Sequence, residues 1–263
     1  MSEIYDIQFM QKHISGYKNK RVLITGARGF FGSWMTKALY NDCIVVLADR
    51  TNINDMLLSK YDYIFHFAPI PIEPVIECAK KSNAKVLYAS SGAVYGGLEE
   101  KVSETSPTNP KTDYGYEKLR SETVLRKSGL DYCTARLFTF CGTNMKNTFA
   151  ITSFVDAIKN NRQLVTYGNP TRTYMYIVDA VVWLAKLMLS ENGVYNVGSE
   201  KETTIRKLAQ QVASFRIPQG EVIESDKEFI QNANYYVPDC SKAHELGLEQ
   251  HFTLNYGIER MME

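Results

Sequence analysis

The chain has 263 residues, 44% hydrophobic and 22% charged, with a formal net charge of +1. These values fit an ordinary globular protein of one large domain or two small ones, and the absence of any block of like charge excludes a basic nucleic-acid face. The five cysteines are scattered, without a C-x-x-C, and the four histidines make no metal-ligand cluster, so free thiols in a reducing cytoplasm are expected and a disulfide framework or zinc site is not.

Residues 1–17 read as an N-terminal helical segment. Ile4, Ile7, Met10, Gln11 and Ile14 have helical spacing and are expected to pack on the domain's flank. Early acids and the lack of an apolar run exclude a signal peptide. A β-branched run then ends in Gly26-Ala27-Arg28-Gly29-Phe30-Phe31-Gly32 and passes into a helical pattern. Such glycines permit a tight turn and let the backbone approach a pyrophosphate, while the helix N-terminus supplies N–H donors. The next strand, 43–49, ends in Asp49, 17 residues after Gly32, where a ribose-binding acid is expected. Asp49 points to NAD; Arg28 and Arg50 point to a 2′-phosphate and NADP. The expected cofactor is NAD or NADP, with NAD slightly favoured.

A third buried strand, 61–67, leads into Ala68-Pro69, a helix over 74–82 and a strand over 84–90. Strand–helix alternation at this spacing predicts an α/β fold with a doubly wound parallel sheet, Rossmann-like, whose ligands bind beyond the carboxyl ends of the strands. Gly26, Asp49, Ala68 and Ser90-Ser91 would converge there.

Residues 96–111 read as a loop, and 112–126 as a helix that places Tyr114 and Lys118 at i and i+4 on one face. A phenol has a pKa near 10, and a neighbouring ammonium lowers it by favouring the phenolate, so the pair could serve as acid and base on an alcohol or ketone. Further strands and helices are expected at 130–140, 152–160, 178–190, 193–198 and 203–213, the last helix capped by Thr204. The stretch 161–173 reads as irregular. The apolar run near 177–189 contains Asp179 and Lys186 and is too short to span a bilayer, so it reads as a core helix.

The motifs Thr25-Gly26-Ala-Arg-Gly29-Phe-Phe-Gly32, Ser90-Ser91-Gly-Ala-Val-Tyr95-Gly96, Tyr114-x-x-x-Lys118 with Glu122, Ala135-Arg136, Arg172-Thr-Tyr-Met-Tyr-Ile-Val-Asp179, Tyr195-Asn196-Val-Gly198 and Asp239-Cys-Ser-Lys242 carry a resemblance. In order and spacing the chain, from about Lys20 onward, resembles the extended short-chain dehydrogenase/reductases that act on nucleotide-activated sugars, the epimerase/dehydratase family. The resemblance implies Ser91, Tyr114 and Lys118 as catalytic residues. It implies Gly26, Arg28, Gly29, Phe30, Phe31, Gly32, Asp49, Arg50, Phe67 and Ala68, with Tyr114 and Lys118, as the cofactor site. Ser91, Thr139 and Arg172 would contact substrate, Thr139 standing where many members have Asn and Arg172 gripping the diphosphate of a nucleotide-diphosphate sugar. Residues 18–142 plus 171–199 would form the dinucleotide-binding domain, and 143–170 plus 200–263 a small substrate-binding lobe. Neither a metal, nucleic acid nor membrane is implied; a homodimer and a place in surface-polysaccharide or deoxysugar biosynthesis are.

The chain also departs from the family. Gly92 and Ala93 stand where dehydratases carry an Asp-Glu pair and decarboxylases a Glu, so 4,6-dehydration is not expected. The strand usual after Asp49 is compressed, since only 17 residues separate Asp49 from His66. The segment between Ala68 and Val75, which in the family helps to form the dimer, is shortened. The second diphosphate-binding Arg before Asp239 has no match. The expected activity is an NAD(P)-dependent 4-epimerase working through a transient keto-sugar. The alternative is an NADPH-dependent 4-keto-sugar reductase. A cofactor-binding regulator without turnover is disfavoured by the presence of both Tyr114 and Lys118.

Overall fold

The apolar runs of the first half become adjacent parallel strands, and β1, β3 and β4 are covered on both faces, which is why they read as continuous apolar runs. The computed structural model describes residues 2–49, 51–146, 148–215, 222–225 and 235–263. In chain order these form α1 (Glu3–His13), β1 (Arg21–Thr25), α2 (Phe30–Leu39), β2 (Ile44–Ala48), α3 (Ile53–Met56), β3 (Tyr63–His66), α4 (Glu73–Lys80) and β4 (Lys85–Ser91). A 3₁₀ turn (Gly92–Tyr95) leads to α5 (Asp113–Arg126), β5 (Tyr132–Leu137), β6 (Phe140–Cys141), α6 (Ala150–Lys159), β7 (Leu164–Tyr167), β8 (Thr171–Thr173) and β9 (Met175–Tyr176). The remainder is α7 (Ile177–Leu189), β10 (Gly193–Val197), β11 (Glu202–Thr204), α8 (Ile205–Ala213), β12 (Val222–Ser225), β13 (Tyr235–Tyr236), α9 (Ser241–His244) and α10 (Leu254–Met262).

The central sheet has six strands in the order β10-β5-β4-β3-β1-β2, all parallel. Side chains alternate between its faces. Val22, Ile24, Phe65 and Leu87 meet the core formed by α1, α2 and α7; Leu23, Ile64, Val86 and Tyr88 meet the one under α4 and α5. The chain leaves β1 outward to β2 and returns to β3 on the other side, so the switch point lies between β1 and β3. The compression after Asp49 is plain: the four-residue α3 stands between β2 and β3, and β2 is the sheet edge, with Ile44 and Leu47 exposed.

Three expectations change. Residues 161–173 are not irregular; they hold β7, which pairs with β12, and β8, which lies between β11 and β13. Those partners are distant in sequence, so no local periodicity betrays strands this short. The strand expected over 130–140 breaks into β5 and β6. In α1 the buried face is shifted: Ile4 is exposed, whereas Asp6 is fully buried and accepts from Tyr176 Oη (2.7 Å), Tyr256 Oη (2.7 Å) and Arg260 Nε (3.0 Å). These bonds satisfy a buried carboxylate that would otherwise be costly, and they fasten α1 to α10 and β9. Met1, within the expected N-terminal segment, lies outside the described residues.

Candidate active site

The glycine turn after β1 has the backbone geometry a pyrophosphate needs. Gly26 adopts φ +69°, and a Cβ there would lie 2.9 Å from the Ala68 nitrogen, so only glycine fits where β1 and β3 end together. A Cβ at Gly32 would lie 2.3 Å from the Gly26 carbonyl oxygen, so the first turn of α2 packs directly on the loop. Helix α2 opens on Gly29 without a side-chain cap, leaving its first N–H groups available to an anion. This is a cradle that fits a dinucleotide. Phe30 and Phe31 pack against the core beneath it; the Phe31 ring lies 5.9 Å from Phe67 and 4.9 Å from Phe140 between centroids.

Asp49 is beside this turn. Its carboxylate accepts from the Thr51 amide (2.8 Å) and hydroxyl (2.6 Å) and pairs with Arg28 Nε at 2.8 Å. The Thr51 bonds, with a smaller pull from Arg28, hold its pKa below the usual carboxylate value. The acid expected to favour NAD and an arginine expected to favour NADP therefore face each other. Arg50, the other arginine of that expectation, lies outside the described residues.

The acid–base residues come from three elements. Thr112 caps α5 by accepting from the Gly115 amide at 3.1 Å, which fixes the helix start two residues before Tyr114. Ser91 ends β4 beneath that first turn, its hydroxyl accepting from the Ala93 amide at 3.2 Å and standing near enough to Tyr114 to lower the phenol's pKa. Lys118 reaches back across the sheet and donates to the Ala89 carbonyl at 2.6 Å.

One electrostatic expectation is corrected. Lys118 does not depress the Tyr114 pKa. Desolvation of its hydroxyl end raises it, although 58% of the residue is exposed, and the nearby Ser91 hydroxyl is the opposing influence. The ammonium faces ring planes, 4.8 Å from the Tyr88 centroid and 5.6 Å from that of Tyr114, and its hydrogen bond goes to the main chain. Burial lowers the Lys118 pKa to about 8, against the attraction of Glu122. The resting pair is thus a neutral phenol and a weakened ammonium.

Several motif residues turn out to be scaffold. Glu122 and Arg136 form an ion pair at 2.8 Å with both side chains 7% exposed, and Ser90 donates to the same carboxylate. Arg136 Nη1 also donates to Tyr95 Oη (3.0 Å), which donates to Asn196 Oδ1 (2.7 Å). The network ties α5, β4, β5 and β10 together behind Ser91, with its polar atoms satisfied as burial demands.

Arg172 lies on β8, and Thr139 lies between β5 and β6, its carbonyl accepting from the Met175 amide at 3.1 Å. Arg172 brings with it a residue that sequence reasoning missed. Tyr236 of β13 pairs in register with Arg172, its ring lies under the guanidinium at 5.9 Å, and it packs on Phe138 at 4.8 Å. Its hydroxyl stands over Gly92, beside Ser91. Its partners Phe138 and Ser91 lie 98 and 145 residues away in sequence, so no local signal marks it.

Among the described residues no group of three or more His, Cys, Asp or Glu side chains could hold a metal ion, and no helix is long and apolar enough to cross a membrane. All five cysteines are free.

Comparison with known proteins gives the family and the fold. Residues 42–198 match the NAD dependent epimerase/dehydratase family. A UDP-glucuronic acid decarboxylase 1 of Arabidopsis thaliana is 26% identical, over 94% of this chain and 70% of its own length. A putative UDP-glucose 4-epimerase of Methanocaldococcus jannaschii is 28% identical, over 92% of this chain and 97% of its own. Among solved structures, UDP-N-acetylglucosamine 4-epimerase from Methanobrevibacter ruminantium M1, in complex with UDP-N-acetylmuramic acid, superposes with a TM-score of 0.83 at 22% identity, covering 93% of this chain and 97% of that one. The chain belongs to the NAD dependent epimerase/dehydratase family and is an NAD(P)-dependent enzyme of the extended short-chain dehydrogenase/reductase type.

Proposed function

We propose that the chain is a nucleotide-sugar 4-epimerase that passes its substrate through a transient 4-keto sugar. The observation that carries this reading is the meeting of Ser91 and Tyr114 at the mouth of a dinucleotide cradle with glycine and alanine, not carboxylates, at positions 92 and 93. Bound NAD(P) supplies the hydride chemistry. The backbone from Gly26 to Gly32 would hold its pyrophosphate, Asp49 and Arg28 would face its adenosine ribose, and Lys118 its nicotinamide ribose. Tyr114 would take the proton from the sugar C4 hydroxyl and return it, with Ser91 donating a hydrogen bond to the same oxygen. Arg172 would hold the diphosphate through its forked donors. Gly92 and Ala93 offer no side chain to remove a proton from a neighbouring carbon, so elimination and decarboxylation are disfavoured despite the similarity to UDP-glucuronic acid decarboxylases.

A second reading, an NADPH-dependent 4-keto-sugar reductase, draws on one observation: Arg28, 84% exposed in its side chain, stands at Asp49 where a 2′-phosphate would come. Incubation with UDP-glucose, UDP-N-acetylglucosamine and UDP-glucuronate separates the readings. An epimer visible by ¹H NMR, with no net change in absorbance at about 340 nm, supports the first. Steady NADPH loss on a 4-keto substrate sinks it in favour of the second, and release of carbon dioxide from UDP-glucuronate sinks both. Tyr114→Phe keeps dinucleotide binding and lowers turnover by about 10²-fold or more; unchanged turnover would remove Tyr114 from the chemistry.

A further inference from the structure

Strand β2 leads to the cofactor turn, yet it is the edge of the sheet. With the strand usual after Asp49 compressed into α3, β2 has no outer neighbour among the described residues. Main-chain groups of a strand face its two neighbours in alternation. The Ile44 amide donates to the Lys20 carbonyl at 2.8 Å, and the Ala48 carbonyl accepts from the Gly26 amide at 2.9 Å. The Leu47 carbonyl and the Asp49 amide therefore face the bare edge, where such groups are left unpaired. Asn52 takes up both. Its Oδ1 accepts from the Asp49 amide at 2.8 Å, and its Nδ2 donates to the Leu47 carbonyl at 3.1 Å. The carboxamide stands in for one peptide group of an outer strand.

The same turn ties down the Asp49 side chain. The Asp49 carbonyl accepts from the Ile53 amide at 3.1 Å, which closes the turn into α3. Oδ1 of the carboxylate accepts from the Thr51 amide at 2.8 Å and from the Thr51 hydroxyl at 2.6 Å. A carboxylate oxygen has two lone pairs, so Thr51 fills Oδ1. Oδ2 carries Arg28 Nε at 2.8 Å, on a side chain that is 84% exposed. A surface pair of this kind contributes little and exchanges readily. Oδ2 is thus the oxygen open to a ligand, and Thr51 decides where it points.

We propose that Thr51 and Asn52 are positioning residues for the dinucleotide: Asn52 anchors the Asp49 main chain in place of an outer strand, and Thr51 holds Oδ1 so that Oδ2 alone meets a ribose 2′-hydroxyl, which favours NAD. A hydroxyl donates to Oδ2. A 2′-phosphate brings negative charge that Oδ2 repels and Arg28 attracts. The inference rests on the placing of Asp49 at the adenosine ribose proposed above.

The test is fluorescence titration with NAD and with NADP of the wild-type protein and of Thr51→Val, Thr51→Ser, Asn52→Ala and Asp49→Ala. Thr51→Val keeps the side-chain shape and the amide and removes the hydroxyl. It binds NAD about fivefold more weakly and NADP within about twofold of wild type. Thr51→Ser, which restores the hydroxyl, returns NAD affinity to within about twofold of wild type. Asn52→Ala frees both main-chain groups and weakens NAD by about tenfold, again more than NADP. Should Asn52→Ala fail to fold, the two Thr51 variants still decide. Unchanged NAD affinity in Thr51→Val overturns the proposal, as do equal losses of NAD and NADP, which would make the turn scaffold only. A loss in Asp49→Ala without one in Thr51→Val leaves Asp49 at the ribose and sinks this inference alone. No loss in Asp49→Ala removes Asp49 from the ribose, and the inference falls with it.

Discussion

A side-chain carbon at Gly92 would lie 2.5 Å from the hydroxyl oxygen of Tyr236. The same contact explains why a carboxylate cannot stand at position 92 while β13 is docked. It also fixes how close β13 comes to the end of β4. Gly92→Ala must push a ring that Phe138 backs at 4.8 Å, so the strain cannot be relieved by a small side-chain swing. The expected result is a loss of about 1–3 kcal/mol in urea-denaturation stability together with reduced turnover. A variant that keeps both would show that β13 gives way freely.

The Arg28–Asp49 pair predicts opposed effects on the two dinucleotides. Asp49→Ala removes the acceptor that a ribose diol would use and should weaken NAD by about tenfold, the value of one charge-assisted hydrogen bond. NADP should change less. Arg28→Ala should do the reverse. Fluorescence titration of both variants with both dinucleotides measures this, and equal losses for NAD and NADP would place neither residue at the ribose.

If Lys118 holds the nicotinamide ribose as proposed, it should set a pH window for cofactor binding. Burial lowers its pKa to about 8, so the ammonium is present below that pH and is lost above it. Dinucleotide affinity should therefore fall as pH rises through about 8, since the neutral amine is a poorer donor to ribose hydroxyls. Calorimetric titration from about pH 6.5 to 9.5 would show the decline, and Lys118→Met should bind weakly with no such dependence. A flat wild-type profile would contradict the assignment.

His66 makes a prediction about stability. It is 1% exposed, its ring Nδ1 lies 2.7 Å from Thr25 Oγ1, and burial lowers its pKa from 6.5 to about 4, with the Lys118 charge adding to the effect. The native state therefore prefers the neutral ring. The unfolded chain takes up the proton first as pH falls, so the stability gained from this residue is present above pH 6.5 and is lost between there and about pH 4. The loss attributable to His66 is about 3 kcal/mol. Denaturation curves across that range, compared with His66→Gln, would reveal it as a shallower acid dependence in the variant; parallel curves would argue against it.

What was legible in the sequence is what is settled within a few residues of chain. The β1–α2 glycine turn, the Asp49 strand end and the Tyr114–Lys118 helix all follow from local spacing, propensity and turn chemistry, and α5 spans Asp113–Arg126 against an expected 112–126, Thr112 being its cap and not its first residue. The Thr204 cap of α8 was legible for the same reason, and its hydroxyl accepts from the Lys207 amide. That the sheet is parallel followed from strand–helix alternation, because parallel strands must be joined by crossover connections; that it has six strands in the order β10-β5-β4-β3-β1-β2 did not. Tertiary structure decided the rest. Only packing could bury Asp6 among Tyr176, Tyr256 and Arg260, turn Lys118 to a main-chain carbonyl instead of the Tyr114 hydroxyl, pair β7 and β8 with distant strands, and set Tyr236 over Gly92. Strand pairing and desolvation depend on which distant segments meet, and that choice leaves no trace in the spacing of nearby residues.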